Sequence, residues 1–136
     1  MIYYFAAFEP AENGVYAVRV PDIPEVATQG ETLAEAMEMA EDAVRVSLEE
    51  YARAGRPLPE PSALPRVREL VEREDKELGW DTPADTLYQM VPAPDMDRTP
   101  VKVTISMPRN ALAALDRKAE LAGMTRSGYI SSLAMA

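Results

Sequence analysis

The sequence predicts an α+β protein in two parts, in which a small β-sheet with a packed helix precedes a strand followed by two short helices. Two observations support this division. Strand-like and helical apolar patterns fill the first two thirds, and prolines then separate them from a short strand-helix-helix pattern. Net charge also changes sign, because residues 1–97 hold 21 acids and 8 bases (−13) and residues 98–136 hold 2 acids and 6 bases (+4). We therefore predict domains at 1–91 and 99–136, joined by a linker at 92–98.

The composition restricts the chemistry that this chain can perform. It contains neither cysteine nor histidine, which excludes thiol nucleophiles, disulfides, imidazole bases and the usual zinc sites. We predict no cofactor and no metal. No apolar run approaches the ~18 to 20 residues that cross a bilayer, and Met1 opens directly onto strand-like residues rather than a charged signal region. The expected location is the cytoplasm.

Four strands are predicted for the first domain. The N-terminal run MIYYFAAF is apolar on both alternating faces, which is typical of a central strand covered on both sides. Asn13-Gly14 favours a hairpin turn between this strand and the next. The four predicted strands are Met1–Phe8, Val15–Val20, a short Val26–Thr28, and Thr86–Val91.

One helix is well marked between these strands. Thr32 and Glu35 have the spacing of a capping box, and Gly55 is suited to the C-terminus. The helical stripe consists of Leu33, Ala36, Met37, Ala40, Val44, Leu48 and Tyr51. Four prolines between residues 57 and 65 then predict an extended connection. Residues 66–78 are ambiguous, because Val67, Leu70 and Val71 could line a short helix while the charge density indicates at most a surface element.

The C-terminal part begins with a clean alternation over Pro100–Met107. Apolar Val101, Val103, Ile105 and Met107 share one face, and Lys102, Thr104 and Ser106 share the other. Pro108 favours the first turn of a helix that Gly123 ends, and Thr125 favours the N-cap of a second helix.

One strand and two short helices bury too little apolar surface to offset the ~1 to 2 kcal/mol of backbone entropy that each ordered residue loses. The simplest completion is a second copy, whose strand pairs antiparallel with the first. Such a ribbon-helix-helix dimer fits a two-stranded ribbon into the DNA major groove. Lys102, Thr104 and Ser106 would then read base edges.

The start of the second helix provides a further DNA contact. Unpaired amides and the positive end of the helix dipole near Thr125, Arg126 and Ser127 are suited to a DNA phosphate. Two alternatives remain open from the residues alone. Pro100–Met107 could instead be a last strand of the main sheet, and Arg126 and Ser127 could have a plain capping role.

The chain resembles the HicB-type antitoxins of bacterial toxin-antitoxin pairs at both of its ends. The hairpin, VPDIP at residues 20–24 and TQGETL at residues 28–33 are similar to the partial RNase H-like domain of that family. VTISMPR at residues 103–109 and GMTRSGY at residues 123–129 are similar to its ribbon-helix-helix form. Residues 63–85 contribute no motif to this resemblance.

The resemblance implies an RNase H-like first domain that binds and neutralises a HicA-type mRNA-cleaving toxin. It also implies that the C-terminal segment binds operator DNA as a homodimer, or as a pair of dimers, and represses the operon of both proteins. The acidic first domain fits a basic toxin.

Two other functions compete with this interpretation, a metal-dependent nuclease and a ligand-sensing repressor. A metal-dependent nuclease needs converging carboxylates. Residues 2–8 contain none, and Asp22 in its proline-rich turn is better suited to an Asx turn, so we predict no enzyme. The remaining alternative is a ligand-sensing repressor without a toxin partner.

Overall fold

The computed structural model describes all 136 residues, which form two compact units, Met1–Arg98 and Thr99–Ala136. The first unit contains β1 (Tyr3–Pro10), β2 (Tyr16–Arg19), β3 (Ala27–Gly30), α1 (Leu33–Arg53), α2 (Leu64–Leu78) and β4 (Leu87–Pro92). The second unit contains α3 (Arg109–Leu121) and α4 (Arg126–Met135). The predicted α+β class is confirmed.

The sheet is antiparallel throughout, with the order β3-β2-β1-β4. β1 is a central strand, as predicted, and it pairs with β4 from Tyr3 opposite Pro92 to Phe8 opposite Leu87. A short 3₁₀ turn at Glu12–Gly14 joins β1 to β2, and Asn13 and Gly14 both have positive φ there. Two core clusters lie on opposite faces of β1, so the prediction of a strand covered on both sides is confirmed.

The larger core lies between the sheet and α1. Buried Tyr4, Ala6 and Phe8 of β1 share it with a helical stripe that contains Ala36, Ala40, Val44 and Leu48. The hydroxyl oxygen of Thr32 accepts the Glu35 amide at 3.1 Å, which confirms Thr32 as the N-cap, whereas the reciprocal capping-box bond from the Thr32 amide to the Glu35 carboxylate is absent. Gly55 follows the helix with a φ of +67°, as its position after the last turn predicted. Leu33, which was predicted on the stripe, is exposed.

The second core corrects the expectation of a surface element for residues 66–78 and confirms the alternative of a helix lined by Val67 and Val71. α2 is a regular helix of 15 residues, with Val67, Val71 and Asp75 buried at intervals of four. Val67 and Val71 pack with Ala7, Phe5 and Tyr88 on the second face of the sheet. The charges lie on the outer side of the helix, so charge density alone concealed a narrow buried stripe.

Hydrogen bonds hold the proline-rich connection between α1 and α2 to β1 and to the turn between β2 and β3. The hydroxyl of Tyr4 donates to the Pro59 carbonyl oxygen at 2.7 Å. The Asp22 carboxylate accepts the amide of Ser62 at 2.8 Å and its hydroxyl at 2.6 Å. Asp22 therefore holds a segment 40 residues away, which replaces the expected Asx turn as its described role.

The third strand lies one to two residues later than predicted. Val26 is buried and its amide donates to the Ile23 carbonyl oxygen, so it completes a turn before pairing begins at Ala27. β3 then continues to Gly30, which pairs with Tyr16. A Cβ on Gly30 would lie 2.3 Å from the Ala36 nitrogen, so the absent side chain lets the strand contact the start of α1.

In the second unit the two predicted helices are present, and Gly123 between them has a φ of +68°. Pro108 is the N-cap residue of α3 rather than a member of its first turn. Pro100–Met107 is not paired as a strand in the single chain. A strand needs a neighbour to supply the other half of its hydrogen bonds, so the predicted ribbon stays a prediction.

The segment expected to be a linker begins within the sheet. Pro92 is the last residue of β4, and Ala93 is buried with its amide donating to the Ile2 carbonyl oxygen. No regular element is present from Pro94 to Met107. None of the helices combines the length and apolar character needed to span a membrane.

Candidate DNA-binding segment and partner-binding surface

The three predicted base-reading residues all lie on the exposed stretch before α3. Lys102, Thr104 and Ser106 are exposed and make no hydrogen bond or ion pair with other side chains. The alternate residues are exposed as well, with Val101 at 79%, Val103 at 73% and Ile105 at 62% of their full accessible surface. Three apolar side chains in water within five residues are costly, at about 25 cal/mol for each Å² that remains uncovered. This face is chemically suited to contact another apolar surface.

The predicted N-cap of α4 is present at Thr125. The Thr125 hydroxyl oxygen accepts the Gly128 amide at 3.0 Å, and its carbonyl oxygen accepts the Tyr129 amide at 2.9 Å. The amides of Arg126 and Ser127 precede the first internal hydrogen bonds of the helix, so they remain able to donate to an external group. Thr125 therefore caps the helix, and two neighbouring amides are left for an anion.

Arg126 has a partner that its position did not predict. Its guanidinium forms two hydrogen bonds to the Asp116 carboxylate of α3, at 2.7 and 2.9 Å. This bidentate pair lowers the pKa of Asp116 and raises the pKa of Arg126, because each charge stabilises the other. Both side chains are about half exposed. The pair joins the two helices of this unit and orients Arg126 relative to α3.

A groove of 810 Å³ collects most of these residues within the second unit. Of the six predicted DNA-contacting residues, Thr104, Ser106, Arg126 and Ser127 line it, whereas Lys102 and Thr125 do not. Apolar side chains line it as well, including Val103, Ile105, Leu112 and Ile130. The groove thus combines polar candidate residues with an exposed apolar surface.

The first unit contains an ion cluster that sequence reasoning missed. Arg19 of β2 forms ion pairs with three carboxylates: Glu9 of β1, and Glu74 and Asp75 of α2. Asp75 is 1% exposed and also accepts the Thr82 hydroxyl at 2.6 Å. A buried carboxylate is tolerated only when it is paired, and here Arg19 and Thr82 satisfy both oxygens.

The pKa values of Glu9 and Asp75 shift in opposite directions. Burial raises the pKa of Glu9, and its hydrogen bond with Asp75 raises it further, against the effect of Arg19. Burial also opposes the charge on Asp75, but hydrogen bonds from Thr82, Glu9 and Arg19 outweigh it and lower the pKa of Asp75. Glu9 therefore holds its proton more firmly than an ordinary glutamate, and Asp75 releases its proton more readily than an ordinary aspartate.

An open groove of 520 Å³ lies beside the ion cluster. Its lining includes Glu9, Arg19 and Asp75, small or polar residues of β2 and β3, and the side chains of Met39 and Trp80. Trp80 is the single tryptophan of the chain and is 53% exposed. Gly79 ends α2 with a φ of +96°, and Trp80 follows it directly. An aromatic residue next to a helix-ending glycine was the sequence feature that could have indicated this surface.

Comparison with known proteins places the chain in a family. The family model described as "HicB_like antitoxin of bacterial toxin-antitoxin system" matches residues 4–134, which is nearly the whole chain. The chain belongs to the HicB-like antitoxin family. The resemblance inferred from VPDIP, TQGETL and the C-terminal motifs is thereby confirmed.

Named relatives of this HicB-like chain are antitoxins. It is 47% identical over 58 residues to "Antitoxin HicB 1" of Photorhabdus laumondii, which covers 43% of this chain and 37% of that protein. It is 46% identical over 61 residues to "Antitoxin HicB" of Escherichia coli K12, covering 45% and 44%. The matches therefore span less than half the length of each curated relative.

Solved structures show the same fold over greater lengths. The Burkholderia pseudomallei antitoxin HicB superposes with a TM-score of 0.54 at 26% identity, covering 99% of this HicB-like chain and 95% of the other. A chain of a toxin-antitoxin complex from Streptococcus pneumoniae gives a TM-score of 0.57 at 22% identity, covering 98% and 97%. These likenesses extend the agreement to both units of the chain.

Proposed function

We propose that this chain is the antitoxin of a type II toxin-antitoxin pair. Its first unit binds and neutralises a HicA-type mRNA-cleaving toxin, and its C-terminal segment represses the operon by binding operator DNA as a ribbon-helix-helix dimer. The observation that carries the proposal is the match of the HicB-like family over residues 4–134. The structural relative in a Streptococcus pneumoniae toxin-antitoxin complex supports a toxin as the partner.

The charge of the first unit supports a basic partner. Residues 1–97 carry a net −13, and a toxin that binds RNA needs a positively charged surface. Opposite fields of this kind accelerate association and disfavour nucleic acid on the same surface. Toxin binding is therefore assigned to the first unit, and DNA binding to the segment with net charge +4.

The exposed apolar face before α3 supports the dimeric ribbon. Two copies that pair through residues 101–107 would cover Val101, Val103 and Ile105 with each other and with the α3 and α4 helices. The same pairing projects Lys102, Thr104 and Ser106 outward from both chains, as major-groove reading requires. The amides of Arg126 and Ser127 would bind a phosphate and fix the position of the ribbon.

A pair of matched lysine variants tests the DNA-binding half. Lys102→Ala and Lys118→Ala each remove one positive charge from an exposed position, but only Lys102 lies on the proposed ribbon. Lys102→Ala should weaken operator binding about tenfold or more, within the ~1 to 3 kcal/mol of a good base contact. Thr104→Ala should act in the same direction. Electrophoretic mobility shifts measure both affinities, and equal losses at residues 102 and 118 would contradict base reading.

The toxin-binding half is tested with the protein encoded beside this chain. Co-purification of the two proteins, followed by an RNA-cleavage assay, should show a stable complex and loss of RNA cleavage. Lys102→Ala should neutralise the toxin as well as the wild type, because the two functions are assigned to different units. Operator binding without toxin binding would instead favour the ligand-sensing repressor.

A further inference from the structure

Half of one sheet face is left open in the first unit. α2 packs its valines against Ala7, Phe5 and Tyr88, on the side of β1 and β4. The pairing registers place Ala17 and Arg19 of β2 and Ala27 and Gln29 of β3 on that same face. Ala17, Ala27 and Gln29 are exposed. Because their side chains are small or neutral, another protein can approach the sheet closely there.

The open half-face has an aromatic wall and an apolar rim. Trp80 and Met39 line the 520 Å³ groove and are 53% and 42% exposed. The Trp80 amide donates to the Asp75 carbonyl oxygen at 3.1 Å, so its backbone is held at the end of α2. A half-exposed indole on an anchored backbone is typical of the residues that dominate protein interfaces.

The charge beside that wall is negative. Arg19 is the one cation of a cluster that contains Glu9, Glu74 and Asp75, and its guanidinium is already bonded to all three carboxylates. The remaining negative charge adds to the field of a unit with net −13. A phosphate backbone would be repelled here, whereas a cationic side chain would be attracted by both the carboxylates and the indole face.

We propose that this groove, formed by the open half-face and Trp80, is the docking site for the basic toxin, which inserts an arginine or lysine side chain between Trp80 and the acidic cluster. The identity of the occupant rests on the proposed function, since the antitoxin role supplies a basic protein partner. The aliphatic part of the inserted side chain would contact Ala17 and Ala27, while its charged end lies in the negative field of the acidic cluster.

Two matched pairs of variants test the groove in the full-length chain. Gln29→Lys places a positive charge in the groove, and Gln89→Lys places the same charge on the opposite edge strand outside it. Trp80→Ala removes the aromatic wall, and Leu78→Ala removes a similarly exposed side chain that does not line the groove. All four positions are partly or largely exposed, so the fold should tolerate the changes, and thermal unfolding checks that it does.

The measurement is the calorimetric dissociation constant for the purified toxin encoded beside this chain. Gln29→Lys and Trp80→Ala should each weaken binding about tenfold or more, which is roughly one unit on the logarithmic affinity scale. Gln89→Lys and Leu78→Ala should each change it less than about twofold, as expected of positions outside an interface centre. This pattern would support the groove as the docking site.

Each contrary result has a distinct meaning. If the wild type binds the toxin and both groove variants bind equally well, the groove assignment is overturned and the antitoxin role stands. If the wild type does not bind the toxin, both proposals are overturned. If the groove variants change operator affinity and leave toxin binding unchanged, the basic C-terminal segment occupies the groove, which also overturns the toxin assignment.

Discussion

The two units of the chain differ in how they satisfy their apolar and polar groups. The first unit encloses Tyr4, Phe8 and Leu48 completely, and pairs its buried Asp75 with Arg19 and Thr82. The second unit buries Ala119 but exposes the apolar side chains of residues 101–105 and, in α4, those of Leu133 and Met135. The first unit therefore has a core of its own, whereas the second leaves much of its apolar surface in contact with water.

This contrast describes a self-contained first domain and supports the proposal that the second unit pairs with its own copy. A unit of 38 residues is below the size at which single chains usually fold without disulfides, metals or oligomerisation. Concentration should therefore affect the second unit and not the first, because dimerisation follows mass action. Sequence changes in one unit should leave the other nearly unaffected.

The largest expected effect is a loss of stability in the first unit. Asp75→Ala leaves the Arg19 charge and the Thr82 hydroxyl without their buried partner, and should reduce the free energy of unfolding by about 3 to 5 kcal/mol. Glu74→Ala removes an exposed partner of the same arginine and should reduce it by less than about 1 kcal/mol. Urea unfolding measures both, and equal losses would show that the burial of Asp75 carries no special weight.

The next effect concerns the dependence of the second unit on a partner. Val103→Asp places a charge on the proposed dimer face and should weaken operator binding by about a hundredfold, or roughly 2.7 kcal/mol. The same substitution at Val46, an exposed residue of α1, supplies the control. Sedimentation should show a monomer for Val103→Asp and a dimer for Val46→Asp. A dimer with unchanged operator affinity for Val103→Asp would contradict the ribbon.

A smaller effect is expected where β3 meets α1. Gly30→Ala places a Cβ within 2.3 Å of the Ala36 nitrogen, which neither backbone can accommodate without shifting. Overpacking of this kind should lower the free energy of unfolding by about 1 to 3 kcal/mol. Thermal unfolding measures the loss. Full operator affinity should remain in this variant below its melting temperature, and its loss there would show that the two units are coupled.

The smallest effect is a pH dependence within the ion cluster. The pKa of Glu9 is raised in the folded state, so its contribution to stability is present below its ordinary value of 4.5 and is lost as pH rises through the folded-state value. Glu9→Gln removes this contribution. The variant should therefore gain stability relative to the wild type between about pH 4 and 7. Unfolding across that range measures the difference, and a constant difference would contradict the raised pKa.

Local patterns predicted much of this molecule. Residues 1–8 are apolar on both faces, which indicated a strand covered on both sides, and the Thr32 cap and Gly55 marked the ends of α1. These features depend on neighbours in sequence, which is why residue types alone reveal them. Thr125 at the start of α4 was predicted for the same reason.

Long-range partners were not predictable in the same way. The spacing of Val67 and Val71 allowed a helix at residues 66–78, but α2 buries only three side chains, one of them Asp75, so its stripe was too narrow to indicate that the helix packs on the sheet. The pairing of Arg126 with Asp116 joins residues ten positions apart on different helices. The ion cluster likewise depends on α2 and β2 meeting across the sheet. Each of these three features depends on the tertiary arrangement of the chain, which residue types and their spacing do not give.

The pairing of β1 with β4 also determines when the first unit can form during synthesis. Tyr4 pairs with Val91, so the central strand lacks one of its two neighbours until almost the whole unit has left the ribosome. Ribosomes add about 5 to 20 residues per second, so a nascent chain passes several seconds with that strand edge uncovered. A chain that stops before residue 87 has no fourth strand at all. The sheet of the first unit is therefore complete only after β4 has been synthesised. Partial translation products that lack β4 cannot form the complete sheet.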